Sequence, residues 1–106
     1  MTDFAVTARH EDGFLVVVPQ GELDIATVDA VRAEASRRGP DEGLLYDLSA
    51  LDFVDTSGLA LAVEAHRAAQ AEGFPLRIRR APERVQRVFE IAGLEDVLPF
   101  EDGGGG

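Results

Sequence analysis

The chain switches repeatedly between two hydrophobic periods. Residues 4–9 and 14–18 are rich in β-branched and aromatic side chains and are separated by Glu11, Asp12 and Gly13, the pattern of two strands joined as a hairpin. Pro19, Gln20 and Gly21 end the second strand in this reading. Apolar Ile25, Val28 and Val31 then follow Asp24 at helical spacing, and the helix closes near Arg37 and Arg38, where cations suit the negative end of its dipole. After a loop over residues 39–43, residues 44–48 form a short, largely apolar run, as expected of a central strand covered on both faces.

A second helix opens at Ser57 and runs to about Glu72, with Gly73 and Pro75 as stop signals. With Ser57 set at zero and a turn of about 100° per residue, Leu59, Ala62, Val63, His66 and Ala69 fall on one side. Ser57, Ala60, Leu61, Glu64, Ala68 and Ala71 fall on the other, which the projection assigns to the outside. Residues 76–79 alternate apolar and charged like a half-exposed strand, and residues 82–92 carry Val85, Val88, Phe89 and Ile91 at helical spacing before Gly93. A last short apolar segment covers residues 97–100. Helices alternating with strands after a hairpin predict a single α/β domain over residues 1–100. Its sheet is mixed, mostly parallel and four- to five-stranded, with helices packed on it. Residues 101–106, two acids and four glycines, form a tail that supplies no core.

Composition narrows the function classes. Twenty acidic residues against ten arginines and no lysine give a formal charge of −10, which leaves no electrostatic footprint for nucleic acid or an anionic membrane and removes lysine chemistry. No cysteine is present, so disulfides, thiolate catalysis and zinc–thiolate sites are excluded. No apolar run is long enough to span a bilayer and no basic leader precedes one, so the expected location is the cytoplasm. No phosphate-binding loop of the G-x-x-x-x-G-K-[ST] type occurs, and no cofactor is expected.

One stretch carries candidate chemistry. Residues 51–59 read L-D-F-V-D-T-S-G-L: Leu51, Phe53 and Leu59 anchor a turn, while Asp55, Thr56, Ser57 and Gly58 bring oxygens and an open backbone to a helix start. Asp, Thr and Ser favour such starts because their oxygens accept the amides that a first helical turn leaves without partners. In α/β sheets, functional loops lie at the carboxyl ends of strands, where this stretch falls. A nucleophilic Ser57 would need a base, yet His66 lies half a turn round the helix, His10 is in the first strand and no G-x-S-x-G elbow is present, so the chain is not read as an enzyme.

Three segments together resemble the STAS domain, the family of bacterial anti-sigma factor antagonists and of the cytoplasmic domains of sulphate transporters: G-E-L-D at 21–24, L-S-A-L-D-F-V-D-T-S-G-L at 48–59 and P-E-R-V-Q-R-V-F-E-I-A-G-L at 82–94. In the antagonist branch, the serine before that glycine, here Ser57, is phosphorylated by an anti-sigma factor that is itself a kinase with a histidine-kinase-like ATPase fold. The resemblance implies a protein that binds the anti-sigma factor, frees the sigma factor and lets go once phosphorylated, with a phosphatase to reset it. It further implies partner contacts at Asp24, Asp55, Thr56, Gly58, Ala60 and Leu61. Asp24 fits a helix cap or a partner contact equally, Asp55 a cap or an orienter of the serine, and Thr56 a cap or packing residue more than a second acceptor. Arg77, Arg79 and Arg80 read as a solvated face. The family often ends in a further helix that residues 101–106 do not provide. The alternative is a STAS module that is not phosphorylated and serves as a small-ligand sensor or an accessory subunit of a transport complex.

Overall fold

The computed structural model describes residues 4–101; of the expected tail, Glu101 belongs to the last strand instead, and residues 102–106 lie outside the described residues. Strands β1 (Ala5–Glu11) and β2 (Phe14–Leu23) form the antiparallel hairpin that the sequence predicts. Asp12 and Gly13 close it with φ of 52° and 83°, the left-handed pair that matches the twist of a two-residue hairpin turn.

Strand β2 does not stop at Pro19. It runs to Leu23 and serves two parallel neighbours in succession: β3 (Gly43–Asp47) along residues 14–17 and β4 (Leu51–Val54) along residues 21–23. Pro19 falls in the gap between them, where its missing N–H costs no ladder bond on that side. Beyond β3 lie β5 (Leu76–Arg79) and β6 (Phe100–Glu101), giving the order β1-β2-β3-β5-β6 with β4 on the far end of β2. The sheet is mixed and largely parallel as expected, with six strands rather than four or five. The sequence hides β4 because four residues are too few to display a strand period.

Helices α1 (Val28–Ala35), α2 (Thr56–Glu72) and α3 (Glu83–Ile91) send Val31, Leu61 and Phe89 into one apolar cluster with Leu44, Tyr46 and Ile78 of the sheet. Residues alternate across a strand, so the next row, Val16, Leu45 and Arg77 in register, lies on the other face. That second face carries the arginines of β5. They are paired rather than merely solvated: Arg79 donates to Asp47 at 2.9 Å and Arg77 to Glu101 at 2.7 Å; Arg80, just past β5, pairs with Glu95.

Two apolar positions depart from the expected helix faces. Ile25 is 79% exposed because α1 begins only at Val28, and Ile91 is 80% exposed at the end of α3.

Candidate functional site

The site is set by the register of β2 against β4. Leu23 lies opposite Val54, so the residues that follow, Asp24 and Asp55, leave the carboxyl ends of two paired parallel strands side by side. The Asp55 amide donates to the Leu23 carbonyl at 3.2 Å, which carries the pairing one step past the strand.

Asp55 then starts α2. Its backbone is extended (φ −116°), and one side-chain oxygen, Oδ1, accepts the amides of Ser57 at 2.8 Å and Gly58 at 3.3 Å. This is the N-cap expected of an aspartate, and it satisfies two of the amides that a helix start leaves open. Ser57 is half-buried in the first turn, and among the described residues its hydroxyl makes no hydrogen bond. Thr56 and Ala60 are exposed.

Gly58 and Leu61, expected on the contact surface, lie inside, and this corrects the helical projection. A Cβ on Gly58 would sit 2.5 Å from Val54 Cγ2 and 2.9 Å from the Leu23 carbonyl oxygen, so the helix start rests directly on β2 and β4. Once Gly58 faces in, Leu61, Ala62, Ala65 and Ala69 must follow it at helical spacing, and all are buried. Leu61 is 3% exposed, whereas Val63, assigned to the core, is only half-buried. With so many alanines the two faces of α2 differ little in hydrophobicity. The glycine was the stronger signal, since a glycine in a first helical turn marks a close backbone approach.

Asp24 builds a turn. Its Oδ1 accepts the Ala26 amide at 2.9 Å, and its own amide donates to Thr27 Oγ1 at 2.9 Å, while that hydroxyl donates to the Glu22 carbonyl at 2.8 Å. Thr27 was missed in the sequence, although a threonine three residues after an aspartate at a helix entry is a recurrent turn lock. Ile25 and Phe53, 79% and 48% exposed, were missed as surface residues. Ile25 follows Asp24, and Phe53 lies opposite Glu22 in the register, so both belong to the strand ends that carry Asp24 and Asp55.

His66 shares the unbroken α2 with Ser57. Nine residues at about 1.5 Å each place it some 13 Å along the axis, out of reach as a base for the serine. Among the described residues, no cluster of three or more His, Cys, Asp or Glu side chains could hold a metal ion, and no helix is long and apolar enough to cross a membrane.

The STAS domain family model matches residues 5–103. The chain belongs to the STAS domain family, in its anti-sigma factor antagonist branch. The anti-sigma F factor antagonist of Paenibacillus polymyxa is 30% identical over 100 residues, spanning 92% of this STAS chain and 86% of the relative. Among solved structures, an anti-sigma factor antagonist from Mycobacterium paratuberculosis superposes with a TM-score of 0.77 at 24% identity, covering 92% of this chain and 85% of the other. The Bacillus cell fate determinant SpoIIAA in its phosphorylated form superposes with a TM-score of 0.70 at 22% identity, covering 93% and 91%. These likenesses extend the shared fold over nearly the whole STAS domain.

Proposed function

We propose that the protein is an anti-sigma factor antagonist that binds an anti-sigma factor with serine kinase activity and is switched off when that kinase phosphorylates Ser57. The observation that carries this reading is the Ser57 hydroxyl, half-exposed at a helix start and without a hydrogen bond to any described residue. Similarity to a family whose member SpoIIAA exists in a phosphorylated form supports it.

The physical account is local. A phosphate on Ser57 adds a charge of about −1.5 to −2, which the helix dipole and nearby amides tolerate. Ile25, Phe53, Thr56 and Ala60 offer exposed apolar area around Ser57 for a partner to cover, while Asp52 and Asp55 already place negative charge beside it. A phosphate in that contact must be desolvated, and a loss of about 3 kcal/mol weakens binding roughly a hundredfold. Gly58 and Leu61 act beneath the surface by holding the helix start in place. The complex forms in the cytoplasm, where the partner holds its sigma factor, and a phosphatase restores the binding form.

Incubation with the partner kinase and ATP, followed by peptide mass spectrometry, tests the reading. One phosphate on Ser57 is expected, with none on Ser57→Ala. Labelling at another residue, or a phosphorylated protein that binds the partner as tightly as before, defeats it.

A further inference from the structure

A cleft of about 270 Å³ opens between α1 and α2, with β3 as its floor. Leu44, Tyr46, Leu61 and Ala65 form the base, and the small side chains of Ala35 and Ala68 leave the space between the helices unfilled. Each end is closed by an ion pair that joins the two walls. Arg32 of α1 donates to Glu64 of α2 at 2.8 Å, and Arg38, just past α1, reaches Glu72 at 3.5 Å while stacking 3.7 Å over the Phe74 ring.

The charged groups of this cleft are committed. Arg32 also pairs with Asp29, Arg38 also donates to the carbonyls of Gly39 and Glu42 at 3.0 and 2.7 Å, and the Ser36 hydroxyl donates to Ala33 at 2.6 Å. Tyr46 differs: it is 4% exposed, and its hydroxyl is the one hydrogen-bonding side-chain group of the cleft that makes no bond among the described residues. The ring is buried but the hydroxyl oxygen opens onto the cleft, so it is free to donate to an acceptor that enters there.

We propose that the cleft between α1 and α2 binds a small uncharged molecule with an apolar body and one acceptor oxygen, of the ketone type, which takes a hydrogen bond from the Tyr46 hydroxyl. The apolar body lies on Leu44, Leu61 and Ala65 between the two alanine walls. A charged ligand fits poorly, since it would have to break one of the end pairs or be desolvated beside them. Burial, joined by the nearby Glu64 carboxylate, pushes the Tyr46 pKa well above its ordinary value, so the hydroxyl remains a donor throughout the neutral range. This site is separate from the Ser57 surface and does not rest on the proposed switch.

The test uses two probes of nearly equal shape, acetophenone and ethylbenzene, titrated into the ¹⁵N-labelled protein by NMR. Both are expected to shift the amides of Leu44, Tyr46 and Ala65, with acetophenone bound about five- to tenfold more tightly, the range of one neutral hydrogen bond. Tyr46→Phe, which removes a hydroxyl without a protein partner, is expected to erase that preference and leave ethylbenzene binding unchanged. Ala68→Leu, filling the cleft from its α2 wall, is expected to abolish both. Equal affinity of the two probes for the parent, a preference that survives Tyr46→Phe, or no shift of these amides up to the solubility of the probes overturns the assignment.

Discussion

Asp55 and Ser57 are joined through the backbone and not through their side chains: Asp55 Oδ1 takes the Ser57 amide at 2.8 Å, while the Ser57 hydroxyl makes no hydrogen bond among the described residues. The carboxylate therefore fixes the helix start without occupying the serine oxygen.

Removing that cap should weaken the fold in proportion to what it satisfies. Asp55→Ala is expected to lower stability by about 1 kcal/mol and Asp55→Asn by only a few tenths, because asparagine caps about as well. Urea midpoints of the two variants check this. Equal destabilisation by both would mean that the charge matters more than the cap.

At Gly58 two effects compete. Alanine gains about 1 kcal/mol of helix propensity over glycine, but its methyl would meet the Leu23 carbonyl oxygen at 2.9 Å and Val54 Cγ2 at 2.5 Å. Overpacking against backbone costs about 1 to 3 kcal/mol, so Gly58→Ala should be a net loss. A thermal midpoint above that of the parent would show that the helix start can lift off β2 and β4.

The burial of α2 orders a second pair of variants. Leu61→Ala should cost about 2 to 5 kcal/mol as a core truncation, whereas Val63→Ala should cost about 1 kcal/mol or less. Denaturant titration of both variants decides. Any loss of partner binding in Leu61→Ala should track its unfolded fraction.

Asp47 sets an acid limit. Burial alone would raise its pKa, but hydrogen bonds from the Ser49 hydroxyl and amide, with Arg79 alongside, outweigh burial and hold the carboxyl below the usual carboxylate value. A depressed native pKa contributes stability that is present above the unfolded value of about 4 and lost as pH falls through the native one. Asp47→Asn should therefore be less stable than the parent at neutral pH, with the gap narrowing below about pH 4. Urea midpoints measured from neutral to acid pH follow it.

The sequence made the outline of the fold readable because its turn chemistry is strong. The hairpin at Asp12 and Gly13, the buried β3 run, the Asp55 cap and the Gly73 stop at φ 79° all stand where the residues predict. Two things stayed hidden. β4 has only four residues, and its pairing with β2 is a long-range relation that no local pattern reveals. The rotation of α2 was misread because alanine gives a projection little contrast. Asp24, Asp55, Thr56 and Ala60 stand near the expected surface, but the depth of Gly58 and Leu61 depends on how closely α2 approaches β2.

The long β2 strand also bears on the order in which the molecule consolidates. Its pairing with β1 is local, whereas its pairings with β3 and β4 each join residues roughly thirty positions apart. Loop closure makes such contacts costlier to form than the hairpin, and the β4 ladder, with three paired residues against four for β3, has the fewer bonds to hold it. The backbone that presents Ser57 is thus tied to a short ladder. Amide exchange through brief local openings should reach β4 well before it reaches β2.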